Sequence, residues 1–118
     1  MYLHGMGEPL KWSEFEHVEM HVGEVKTAQE FPQARKPAYI LTVDFGPDLG
    51  IKKTSAQLTE RYTPENLLGR KVIGVTNFPP KQIGPLQSEC LILGALDTEA
   101  GTALLEVPFD VKPGTRIA

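Results

Sequence analysis

Between Val72 and Ala95 the chain gathers Asn77, Lys81, Gln82, Gln87, Ser88 and Glu89 into a stretch interrupted by Pro79-Pro80 and Gly84-Pro85. Amides, a hydroxyl, a carboxylate and an ammonium group presented together suit hydrogen bonding and charge pairing with a bound molecule. Proline lacks an N–H and fixes φ, so the stretch is expected to leave its sheet, cross a surface and return. Loops held between rigid strands are where binding groups concentrate. A hairpin connection stiffened by proline accounts for the same residues equally well. Phe78, Pro79, Ile83 and Leu86 add apolar side chains beside Lys81, Lys52 and Lys53, which together could form a lip for extended chains carrying apolar and acidic groups. Phe78 and Leu86 could instead cap the core.

Other chemistries find less support. His17, Glu19 and His21 fall at i, i+2 and i+4 on one strand face, a pattern that could present metal ligands. No further Cys or His stands nearby to complete a metal site, and an exposed strand face explains the pattern. Cys90 opens an apolar run and reads as a small buried hydrophobe rather than a nucleophile. A Gly-rich phosphate loop, a nucleophile elbow and a Cys–His pairing are all missing, so no enzymatic activity, metal or cofactor is expected.

The 118 residues carry a net charge of −3 and one cysteine, with 41% of residues hydrophobic. A lone cysteine forms no intrachain disulfide and fits a reducing, cytoplasmic setting. No apolar run approaches the ~20 residues of a membrane span, and the N-terminus has no basic start followed by an apolar run, so a soluble protein without a cleaved signal is expected. Charge is unevenly spread: residues 51–90 hold six Lys and Arg against three Asp and Glu, whereas residues 1–50 hold four against eight. Such a basic middle can attract phosphate even when the whole chain is acidic, although a solvated face would look the same.

The elements that must hold these groups follow from periodicity. Residues 1–10, without periodicity, are expected to be a flexible extension that docks through Tyr2 and Leu3 at most, with residues 11–118 as the domain. Lys11 to Val18 spaces Trp12 and Phe15 as one helical turn covering an end of the core, with Ser13 as its cap and Glu16 three residues on. Val18 to Phe31 alternates as a long strand bent near Gly23. Ala38 to Phe45 is a second strand, and the turn residues Gly46 to Gly50 return it to Ile51–Leu58, too polar for a central position. Thr63 caps a short helix that starts at Pro64 and stops at Gly69. Val72–Thr76, Leu91–Ala95 and Thr102–Val107 supply the remaining strands. Short strands with one inserted helix describe an all-β fold, a small five-stranded barrel of the OB type with short helices and an N-terminal helical turn.

With those strands placed, His21-Val22-Gly23-Glu24-Val25, Leu41-Thr42-Val43-Asp44-Phe45-Gly46, Thr54-Ser55-Ala56-Gln57, the run from Tyr62 to Val72, and Asn77 through Leu93 resemble the tRNA-binding OB domain found at the ends of some methionyl- and phenylalanyl-tRNA synthetases and in free-standing tRNA-binding proteins. The connection from Phe31 to Pro37, Ile51 to Gln57, and Asn77-Phe78-Pro79-Pro80 resemble the CsaA group within that family, small homodimeric export-related chaperones. Synthetase-type members usually carry Ala-Asp-Lys-Leu where this chain has Ala34-Arg35-Lys36-Pro37, Arg at His21, and Gly-Met at Cys90-Leu91.

The resemblance implies a non-enzymatic chaperone that binds unfolded or pre-export polypeptides as a homodimer, with the export machinery as a further partner and Phe78, Pro79, Ile83, Leu86 and Lys81 as the peptide site. Its alternative is a tRNA-binding protein that recognises shape through Lys52, Lys53, Ser55, Asn77, Lys81, Ser88 and Glu89. Ser88 and Glu89 could equally cap a strand entrance. Trp12, Phe15, Leu104, Leu105, Val107 and Phe109 are the expected dimer contacts.

Overall fold

The computed structural model describes residues 8–118, so the expectations placed on Tyr2, Leu3 and most of the N-terminal extension lie outside the described residues. Five antiparallel strands form the wall: β1 (Met20–Glu30), β2 (Tyr39–Asp44), β3 (Ile51–Ala56), β4 (Lys71–Val75) and β7 (Leu91–Ile92), in the order β3-β2-β1-β4-β7. The β3 edge is closed by the residues just before β7. Glu89 N donates to Lys53 O (2.8 Å), Lys53 N donates to Glu89 Oε1 (2.8 Å), and Ser55 N donates to Ser88 Oγ (3.3 Å). The result is a nearly closed all-β barrel of the OB type. Alternation gives its interior Val25, Tyr39, Leu41, Val43 and Val72, joined by Phe45, Cys90, Leu58, Leu67 and Leu104.

β1 serves both neighbours, pairing through Met20–Glu24 with β4 and through Glu24–Glu30 with β2. Its irregularity falls at Lys26, where the register shifts between Val25 and Thr27, rather than at Gly23. Gly23 has a packing task instead. A Cβ there would stand 2.5 Å from Val43 Cγ1 and 2.7 Å from Phe45 Cε1, and one at Gly74 would stand 2.6 Å from Phe45 Cζ. The two glycines make the hollow in which the Phe45 ring sits, fully buried.

The helix α2 (Pro64–Leu67) follows the sequence: Thr63 Oγ1 accepts from Asn66 N, Asn66 Oδ1 accepts from Thr63 N, and Gly69 ends it at φ +83°. The helix α1 (Trp12–Glu16) differs from expectation. Lys11, not Ser13, is the cap residue, with its N–H donating to Glu14 Oε1 at 2.9 Å. The helix buries no residue, and Trp12 is 85% exposed, so it does not cover the core.

The stretch between Val75 and Leu91 leaves the main sheet and carries a hairpin of its own, β5 (Lys81–Ile83) and β6 (Leu86–Ser88), turned at Gly84-Pro85 with Gly84 at φ +56°. The run from Leu91 to Ala95 splits: β7 pairs with β4, while β8 (Gly94–Ala95) leaves to pair with β9 (Ala103–Leu104). A short β10 (Arg116–Ile117) adds to β1. Among the described residues, no helix is long and apolar enough to cross a membrane.

Candidate binding groove

The hairpin β5–β6 and the preceding Phe78-Pro79-Pro80 overhang the β3 edge and leave a groove of about 560 Å³. Phe78, Pro79, Pro80, Ile83, Cys90 and Leu91 make it mostly apolar, with Ser55, Lys81 and Ser88 as its polar lining. Phe78 is 55% and Leu91 48% exposed. Such side chains on a wet surface mark an interaction site more often than a packing fault.

Asn77 sets the ridge in place. Its Nδ2 donates to His17 O (2.7 Å) and its Oδ1 accepts from Glu19 N (3.1 Å), so the residue before Phe78 is tied to the exit of α1 and the approach to β1. Both ends of the amide are engaged within the fold, which makes Asn77 a positioning residue. Ser88 is similarly occupied. It is buried, its Oγ lies 3.0 Å from Thr54 Oγ1, and Thr54 in turn donates to Cys90 O at 2.8 Å. Glu89 accepts from the β3 backbone, the strand-capping alternative raised by its sequence position.

The groove brings together Phe78, Pro79, Lys81, Ile83 and Ser55. Leu86 is excluded: only 8% exposed, it packs with Phe31 and Ala38 in a second small core cluster and contributes nothing to an exposed lip. Lys52 and Lys53 alternate on β3, so Lys53 shares a face with Ser55 whereas Lys52 lies on the face of the buried Thr54. Leu104 belongs to the core and not to a docking surface. Trp12, Phe15, Leu105 and Phe109 are exposed, and Val107 is half-buried.

His17 closes α1 and is not in a strand, so it does not continue the face of His21. His21 Nδ1 lies 2.9 Å from Thr76 Oγ1. Among the described residues no group of three His, Cys, Asp or Glu is arranged to hold a metal ion. The Cys90 thiol is pushed up to about 11, chiefly by burial, against the lowering effects of the Thr54 hydroxyl and the Lys52 charge. A thiol so protonated is a poor nucleophile.

A second depression of about 740 Å³ adjoins the first through Ser55, Lys81 and Ile83. Arg35 and Lys36 line it together with Gln33, Gln57 and Gln82. These residues were missed as site residues. Their signal lay in the adjacent basic pair of Ala34-Arg35-Lys36-Pro37, where the synthetase pattern differs. Among the described residues, Arg35, Lys36, Lys53 and Lys81 take part in no ion pair.

Residues 20–116 match the family described as "Putative tRNA binding domain". The CsaA chaperone protein of Picrophilus torridus superposes with a TM-score of 0.88 at 41% identity, covering 93% of this chain and 100% of that one. The chaperone CsaA of Bacillus anthracis str. Ames gives a TM-score of 0.88 at 39% identity, covering 94% and 100%. The methionine–tRNA ligase of Methanocaldococcus jannaschii is 33% identical over 112 residues, which are 93% of this chain but only 16% of that enzyme. The chain thus spans a small part of the ligases it matches. These similarities support a chaperone-like or tRNA-binding role. By sequence and by fold, the chain belongs to the tRNA-binding domain family, in the branch that includes the CsaA chaperones.

Proposed function

We propose that this chain is a non-enzymatic chaperone of the CsaA kind, acting as a cytoplasmic homodimer that holds unfolded or pre-export polypeptides. The observation that carries this reading is the apolar groove under the Phe78-Pro79-Pro80 ridge. Prolines stiffen the ridge, so little conformational entropy is lost when a ligand docks against it. The test is suppression of aggregation of a chemically unfolded protein on dilution from denaturant. The wild type should suppress light scattering near equimolar ratio, and Phe78→Ser should lose most of that effect while retaining its melting temperature. Equal suppression by the variant would remove the groove from the function.

The family match favours a second reading, tRNA binding through Lys53, Lys81, Arg35 and Lys36. Anisotropy of labelled tRNA, titrated at low and physiological salt, decides it. Binding that weakens steeply with salt and is lost on Lys53→Ala with Lys81→Ala would establish it.

A further inference from the structure

Ser55 lies where three depressions meet. One is the apolar groove, the second is the Arg35–Lys36 depression, and the third, of about 300 Å³, runs over Leu58, Leu91, Leu93 and Leu96. Leu91 borders both apolar limbs, and Leu96 is 82% exposed at the far one. No carboxylate lines any of the three, while the second limb and its border carry three cations, Arg35, Lys36 and Lys81. Arg35 and Lys36 thus line the second limb alone, Lys81 stands at the border it shares with the apolar groove, and the exposed Phe78, Leu91 and Leu96 belong to the other two limbs.

We propose that this forked groove sorts polypeptides by arrangement as well as by composition. It selects extended segments in which a cluster of acidic side chains directly adjoins an apolar cluster, with the acidic part over Arg35, Lys36 and Lys81 and the apolar part against Phe78 and Leu91. This rests on the polypeptide-binding reading above and adds the sequence class of the ligand. A nucleic acid fits the fork less well. Its phosphates recur along the whole strand and call for cations in every limb, and its bases call for stacking rings, whereas the apolar limbs offer proline, leucine and isoleucine around one phenylalanine. An acidic–apolar peptide matches both halves at once. Exposed ion pairs are individually weak, so three together are expected to change affinity by about tenfold rather than by orders of magnitude.

The experiment uses labelled peptides of about ten residues, an extended length of ~33 Å, titrated into the whole protein by anisotropy. One has a Glu-rich half followed by a Leu- and Phe-rich half. The second replaces every Glu by Gln, and the third interleaves the same acidic and apolar residues. The block peptide should bind about tenfold more tightly than either control at low salt, and the advantage should shrink at physiological salt. Arg35→Glu with Lys36→Glu, both exposed, should abolish the advantage without lowering the melting temperature. Equal binding of the block and Gln peptides would overturn the charge sorting while leaving peptide binding intact. Equal binding of the block and interleaved peptides would overturn the arrangement. Failure of all three to bind would instead bring down the polypeptide-binding reading itself. Displacement of the block peptide by tRNA at far lower concentration, sensitive to the same double variant, would reassign the cationic limb to nucleic acid.

Discussion

Cys90 shows how a single side chain reports on barrel closure. Its thiol faces the interior beside Thr54, and burial raises it to about 11, above the ~8.5 of an unfolded chain. The folded state therefore holds this proton more tightly. The associated stability is fully present below pH ~8.5 and declines as pH rises toward 11. Cys90→Ala should flatten the alkaline limb of a plot of melting temperature against pH. The slope that remains belongs partly to Tyr39, whose phenol is raised by burial and by Glu30 and Glu65. An unchanged limb in the variant would mean the thiol is accessible to water. Thr54 supplies the second test. Its hydroxyl joins β3 to Cys90 O and Ser88 across the seam, so Thr54→Val should lower stability by about 1–3 kcal/mol in urea titrations, more than its shape change alone would give.

At the scale of elements, β1, β2 and β4 meet around one ring. Because Gly74 and Gly23 leave room for Phe45, Gly74→Ala should destabilise by about 1–3 kcal/mol through overpacking. Phe45→Leu in the Gly74→Ala background should recover part of that loss, so the double-mutant cycle should show clear coupling; strict additivity would contradict the contact. The second element-level case is the tie between α1 and the groove ridge. Asn77→Ala removes both amide bonds that hold Phe78 relative to His17 and Glu19. It should cost about 1–2 kcal/mol and weaken peptide binding, although Asn77 itself stands outside the groove lining. Binding that stays at the wild-type level would show that the prolines alone fix the ridge.

At the scale of the whole molecule, Trp12, Phe15, Leu105 and Phe109 are the exposed members of the proposed dimer surface, Trp12 being 85% and Phe109 78% accessible. Light scattering at micromolar concentration should give twice the 13.0 kDa chain mass, with Trp12→Ala plus Phe109→Ala moving the distribution toward monomer. A monomer in the wild type would remove the dimer. What the sequence by itself determined was local. Alternation at Tyr39–Asp44 placed a strand with one buried face, and Thr63-Pro64 with Gly69 bounded a helix, because periodicity and capping act over a few residues. Even the basic bias of residues 51–90 was plain as composition. The tertiary structure decided everything that depends on residues far apart in the chain. It buried Leu86 against Phe31 and Leu104 in the barrel, and it turned Asn77 toward an element 58 to 60 positions away. It also carried Arg35 and Lys36 to the mouth of a groove built mainly from residues 55 to 91. Burial and charge proximity are set by the three-dimensional neighbours of a side chain, and no linear pattern in this chain encodes which neighbours those are.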